Sequence, residues 1–138
     1  MEKIILRGRE IPLLYTTYEM KTIQEEIAPL HQVFALAIGR TPDDKEDTSK
    51  YGTPEHIEAL GKLIRILGNA GLEENGQEPD LTDKKVMRSI RPADVTDVGL
   101  ACLNAMNEGM MSEIPPEKKE GPVDVTLEEI NKKKEKED

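Results

Sequence analysis

The stretch Thr53–Gly71 is the strongest helix signal in the chain. Thr53 is suited to cap a first helical turn, and Pro54 follows at a position where its missing N–H group costs nothing. Because its apolar side chains cover a wide arc, we expect the helix to pack on more than one side, and to end at Gly68 or Gly71 in a left-handed conformation. The apolar residues that recur at helical spacing are Ile57, Leu60, Leu63, Ile64, Ile66 and Leu67.

The chain before this helix is predicted to begin with a β-hairpin. Residues 3–6 and 11–15 are strand-like apolar runs, and the Arg-Gly-Arg-Glu sequence of residues 7–10 supplies a glycine for the turn between them. Pro12 cannot donate a backbone hydrogen bond, which favours an edge strand. A hairpin of two short strands at the N-terminus is therefore the only β-structure that we predict.

Helices are predicted on both sides of the central one. Thr16 and Glu19 have the spacing of a capping box, and Pro29 should split the helix that follows into two parts. After the central helix, either Asp80 or Thr82 can cap a short helix, and Pro92 can start the last one. The sequence thus predicts a mainly α domain with an N-terminal β-hairpin over residues 1–113.

The composition excludes several classes of function. The net charge of −9 opposes binding to nucleic acid, and no apolar run is long enough to span a membrane or to act as a signal peptide. The single cysteine, Cys102, falls in an apolar helical pattern and is interpreted as a small core residue. We therefore expect a cytoplasmic protein.

No motif in the sequence indicates a reaction or a cofactor. His31 and His56 are the only histidines, they lie in different predicted helices, and neither belongs to a metal-binding motif. The acidic loop of residues 40–52 lacks the ligand spacing of a calcium loop, so a solvated loop is favoured over a weak divalent site. We predict no catalytic, cofactor-binding or metal-binding residues, and hence a protein that is not an enzyme.

Residues 114–138 have a different composition and are predicted to form a flexible, charged tail with one short helix at most. Its apolar residues Val123, Leu127 and Ile130 are candidate anchors for a partner, and a merely solubilising tail is the alternative. Tyr15 and Tyr18, on the flank of the hairpin, are further candidate partner-binding residues. Packing at the edge of the core is the alternative for both tyrosines.

Three stretches of the chain together carry a family resemblance. The first, residues 6–26, reads LRGREIPLLYTTYEMKTIQEE. The second, residues 61–71, reads GKLIRILGNAG, and the third, residues 120–129, reads EGPVDVTLEE. They resemble the tail assembly chaperones of long-tailed bacteriophages and prophages, which often begin with a hairpin and helix like those of the first stretch. In many such phages the gene also yields a longer frameshifted product, and Lys132–Lys134 is compatible with a slippery codon run.

The resemblance implies a non-enzymatic role in the cytoplasm of a bacterial host. Such chaperones are thought to coat the tape measure protein and keep it soluble while the tail assembles around it. The tape measure protein or another tail protein is thus the expected partner, with a homo-oligomer as a further expectation. The rival hypothesis is a small acidic adaptor or regulatory domain, of which one or two copies bind a partner protein.

Overall fold

The computed structural model describes residues 1–44 and 46–111. It confirms the predicted fold class, since this part of the chain is mainly helical and begins with a short antiparallel hairpin. The predicted tail, its boundary at residue 113 and its anchors lie outside the described residues. In chain order the elements are β1 (Lys3–Leu6), β2 (Arg9–Pro12), α1 (Thr17–Glu26), α2 (Leu30–Ala37), α3 (Pro54–Glu74), α4 (Asp83–Arg88), a 3₁₀ helix (Pro92–Asp94) and α5 (Val95–Met110).

The hairpin turn is tighter than predicted. Leu6 pairs with Arg9, so that only Arg7 and Gly8 form the turn, and the second strand begins at Arg9 rather than at Ile11. Both turn residues have positive φ, 53° and 80°, as a two-residue turn with the native strand twist requires. The predicted four-residue turn was wrong, because its last two residues, Arg9 and Glu10, are paired in the second strand.

Helix α3 is the centre of the domain, as its sequence predicted. It packs against β2, α1, α2, α4 and α5. The Thr53 hydroxyl accepts the backbone N–H of His56 at 3.2 Å, and Pro54 occupies the first turn. Ile64 and Leu67 are fully buried between these layers. The wide apolar arc is therefore explained by packing on several sides.

The predicted end of α3 at Gly68 or Gly71 was wrong, because the helix continues to Glu74 and Gly76 takes the left-handed conformation. The two interior glycines instead let other segments approach closely. A Cβ atom on Gly68 would lie 2.7 Å from a methyl carbon of Leu81, and one on Gly71 would lie 2.0 Å from the carbonyl oxygen of Pro12. Both positions therefore serve packing rather than helix termination.

The first two helices follow the predicted local signals. Thr16 and Glu19 form the capping box, in which the Thr16 backbone N–H donates to Glu19 Oε1 at 2.9 Å. Helix α1 ends at Glu26, and α2 starts just after Pro29. The prediction that Pro29 splits this region into two helices is confirmed.

Arg65 links three helices on the rim of the domain. Its guanidinium binds Glu26 at the end of α1 and Asp83 at the start of α4, and Lys62 also contacts Asp83. The Arg65 side chain is mostly buried, so these pairs are less screened by solvent than fully exposed ones. The network holds α1 and α4 on neighbouring flanks of α3.

Thr82, rather than Asp80, caps α4, since its hydroxyl accepts the Lys85 backbone N–H at 3.2 Å. Pro92 does not start the last helix, as was predicted, but opens a separate 3₁₀ helix; α5 begins at Val95 and passes through Gly109 to end at Met110. Cys102 is fully buried on it, as expected for a core residue. Burial, together with the nearby Glu2 carboxylate, raises the pKa of this thiol to about 12, which keeps it in the unreactive thiol form.

Candidate protein-binding surfaces

Tyr15 does not lie on an exposed flank of the hairpin, contrary to its proposed role in partner binding. Its side chain is 5% exposed and belongs to the core, where α5 covers it. Gly109 permits this close approach, because a Cβ atom there would lie 2.3 Å from the Tyr15 carbonyl oxygen. The alternative interpretation of Tyr15, packing in the core, is the one that the structure supports.

Replacing Tyr15 with phenylalanine should stabilise the protein by about 1 kcal/mol, because the buried hydroxyl has no hydrogen-bond partner among the described residues. Burial also raises the pKa of this hydroxyl, as expected for a desolvated group. Thermal unfolding measures the effect, which corresponds to roughly 3–4 °C for a domain of this size. Tyr18→Phe, at an exposed position, should leave the melting temperature unchanged, and a lower melting temperature for Tyr15→Phe would refute the prediction.

Tyr18 is exposed, as are three methionines near the two ends of the described chain, Met1, Met110 and Met111, which we call the methionine end. Each of the four side chains is more than half exposed. The Glu2 backbone N–H donates to Glu108 Oε1 at 3.2 Å, which brings the N-terminus to the end of α5.

The methionine end is also where the chain continues into residues 112–138, which carry Val123, Leu127 and Ile130. These three candidate anchors lie outside the described residues. Of the three methionines in the last part of the described chain, Met106 is buried in the core, and Met110 and Met111 are on the surface. Flexible methionine side chains suit a surface that adapts to a partner.

His56 is fully buried and holds the loop before α3 in place. Its Nδ1 atom accepts the Gly52 backbone N–H at 2.9 Å, so the proton of the neutral ring lies on Nε2, 3.3 Å from the Ala37 carbonyl oxygen. No acidic side chain is among these partners. Burial lowers the pKa of His56, and the hydrogen bond to Ala37 only partly offsets this effect. The ring therefore has a structural role that its first-turn position alone did not reveal.

We expect the free energy of unfolding to fall as the pH drops below about 6.5, the ordinary pKa of histidine. His56 stays neutral when folded, so the unfolded chain takes up the proton first and acid favours unfolding. Melting temperatures between pH 7.5 and 5.5 measure this slope. His56→Gln lacks the titrating group, so an equal slope in that variant would show that His56 is not its source.

An apolar groove runs between α3 and the segment that joins α4 to α5. Its volume is about 370 Å³, and none of the described residues that line it is charged. Tyr51 lies at its rim, where its hydroxyl is 3.0 Å from the Thr96 hydroxyl, and Gly61 leaves room for the Met87 side chain. The lining residues are Tyr51, Gly52, Ile57, Leu60, Gly61, Met87, Ile90, Pro92 and Val95.

Sequence reasoning missed this groove. Met87 and Ile90 are only partly buried, because the groove opens beside them. A signal was present in Tyr51, an aromatic residue within a polar loop that was interpreted only as solvated. Such a surface suits the apolar side chains of another protein.

Within residues 1–44 and 46–111, no group of three or more histidine, cysteine or acidic residues could hold a metal ion. No helix in these same ranges has the length and apolarity needed to cross a membrane. Comparison of the chain with protein-family models, with curated proteins and with solved structures gave no match.

Proposed function

We propose that this protein is a non-enzymatic tail assembly chaperone of a phage or prophage, which binds the tape measure protein in the bacterial cytoplasm. The observation that carries the proposal is the uncharged groove beside α3. A long helical client exposes apolar side chains in rows, and a groove of this kind binds such a row. The resemblance of residues 6–26, 61–71 and 120–129 to such chaperones supplies the choice of client.

The groove has features that suit an apolar helix. Side chains at every third or fourth position of the client can enter it, with Ile57 and Ile90 as its walls. Met87 has three rotatable bonds and a polarisable sulfur atom, so it can adapt to different client side chains along a long helix. The exposed methionine end offers a second apolar contact.

The charge of the chain supports a coating function. Each copy carries a formal charge of −9, so a client covered by many copies would become strongly acidic. Like charge keeps coated clients apart and opposes their aggregation. An adaptor that binds in one or two copies is the second candidate, and it differs from the chaperone in stoichiometry rather than in the surface it uses.

Co-expression with the longest helical protein encoded downstream of this gene, the expected tape measure protein, tests the proposal. The wild-type chain should keep the client soluble and co-purify with it, and Met87→Glu should lose most of this effect because it places a charge in the groove. Leu100→Glu is the matched control, since it adds the same charge at an exposed position on α5 outside the groove. Equal co-purification of both variants would contradict a role for the groove.

The gene itself offers an independent test of the family assignment. A slippery heptanucleotide at the Lys132–Lys134 codons, with an open −1 frame beyond it, would support the chaperone. If both shifted frames are closed, the frameshift hypothesis fails. The adaptor hypothesis then becomes stronger relative to the chaperone hypothesis. This test does not depend on the groove.

A further inference from the structure

Four basic side chains surround a pocket of about 410 Å³ between the hairpin turn and α4. We call it the cationic pocket. Arg7 and Arg9 come from the hairpin, and Lys85 and Arg88 come from α4. The remaining lining residues are Leu6, Ile11, Leu81 and Ser89, so the pocket combines positive charge with aliphatic side chains.

Only part of this charge is balanced inside the protein. Asp80 binds Arg9 at 3.0 Å and lies 4.0 Å from Lys85, and the Arg9 guanidinium lowers the pKa of Asp80. Within residues 1–44 and 46–111, neither Arg7 nor Arg88 forms an ion pair. One nitrogen of the Arg7 guanidinium donates to the Arg88 carbonyl oxygen at 3.4 Å. The two arginines therefore keep donors available for an anion.

The backbone at Arg7 is a second, independent observation. Its φ of 53° lies in the left-handed region, where glycine, asparagine and aspartate are favoured in hairpin turns. An arginine in this conformation costs conformational free energy. Its guanidinium lines the pocket, and a binding function there accounts for an arginine at this position.

The chemistry of the lining selects a protein partner. None of the described residues that line the pocket is aromatic, so a nucleic-acid base would find no side chain on which to stack. Carboxylates match the planar donor groups of arginine, and Leu6, Ile11 and Leu81 can contact the aliphatic parts of a peptide. A segment in which acidic and aliphatic residues alternate fits both properties.

We propose that the cationic pocket binds an acidic, aliphatic peptide segment of a protein partner, with Arg7 and Arg88 holding its carboxylates. This surface differs from the apolar groove, although both border α4. The proposal does not rest on the tail assembly function, because the pocket would take such a segment from any partner.

Fluorescence anisotropy with the purified full chain tests this binding. The probe is a fluorescein-labelled peptide of alternating glutamate and leucine, an oligothymidylate serves as the competitor, and a labelled lysine–leucine peptide is titrated separately as the charge control. We expect the acidic peptide to bind, with an affinity that falls as salt rises, the lysine–leucine peptide not to bind, and the oligothymidylate not to displace the acidic peptide. Absence of binding at millimolar chain, or tighter binding of the oligothymidylate, would overturn the proposal.

Two variants locate the site. Arg7→Asn keeps a residue that tolerates the turn, so it should preserve or raise the melting temperature and weaken peptide binding at least about tenfold. Arg88→Gln should weaken binding to a similar degree. Lys21→Gln removes one positive charge from α1, outside the pocket, and should leave the affinity within about twofold. An unchanged affinity in Arg7→Asn and Arg88→Gln would refute the assignment of the pocket.

Discussion

Replacing Gly71 with alanine is expected to destabilise the protein by about 3 kcal/mol or more, although glycine-to-alanine changes inside helices usually stabilise. The new Cβ atom would lie 2.0 Å from the carbonyl oxygen of Pro12 and 2.5 Å from its carbon. These are backbone atoms of β2, so no side-chain rotation relieves the overlap. The hairpin must move away from α3, and the core contacts of Ile11 with α3 weaken as a result.

Chemical denaturation of Gly71→Ala and Gly61→Ala makes a matched comparison within one helix. In Gly61→Ala the atoms nearest to the new Cβ belong to the flexible Met87 side chain, the first at 3.1 Å, so the helix preference of alanine should offset the contact within about 1 kcal/mol. We expect the midpoint of Gly71→Ala to fall well below that of Gly61→Ala. Similar midpoints would show that β2 does not pack on α3 at this distance.

Replacing Ile64 with aspartate should unfold the domain. Ile64 is fully buried in the middle of α3, in a core that several elements share. An aspartate there would bury a charge without a partner, and changes of this kind cost more than about 4 kcal/mol. That is a large fraction of the stability of a small domain.

Circular dichroism at 222 nm and the melting transition measure this result. Glu58→Ala is the control, because it changes the charge at an exposed position on the same helix and should alter stability by no more than about 0.5 kcal/mol. A cooperative transition near the wild-type temperature in Ile64→Asp would mean that α3 is not the central helix. Leu60→Asp, at another buried position of α3, should give the same loss of structure.

Most of the secondary structure was predictable because its determinants are local. The capping box at Thr16, the break at Pro29 and the start at Thr53 each depend on contacts within one helical turn. The end of α3 was not predictable, because the role of Gly71 depends on Pro12, which is distant in the sequence. A glycine that admits a neighbouring backbone has the same sequence signature as one that ends a helix.

The surfaces were harder to predict than the elements. The burial of Tyr15 depends on α5, at the opposite end of the described chain, and so its exposure was misjudged. The cationic pocket unites Arg7 with Arg88, and no spacing rule links residues so far apart. Tyr18 is exposed as the candidate site required, and its binding role stays a prediction.

The stoichiometry of the complex with the tape measure protein tests the central claim most directly. Native mass spectrometry of the co-expressed, co-purified complex counts the copies of this chain on one client. The chaperone function predicts many copies, in a number that grows when the helical region of the client is lengthened. One or two copies regardless of that length would contradict it and favour the adaptor, and failure to form any complex would refute both assignments for this client.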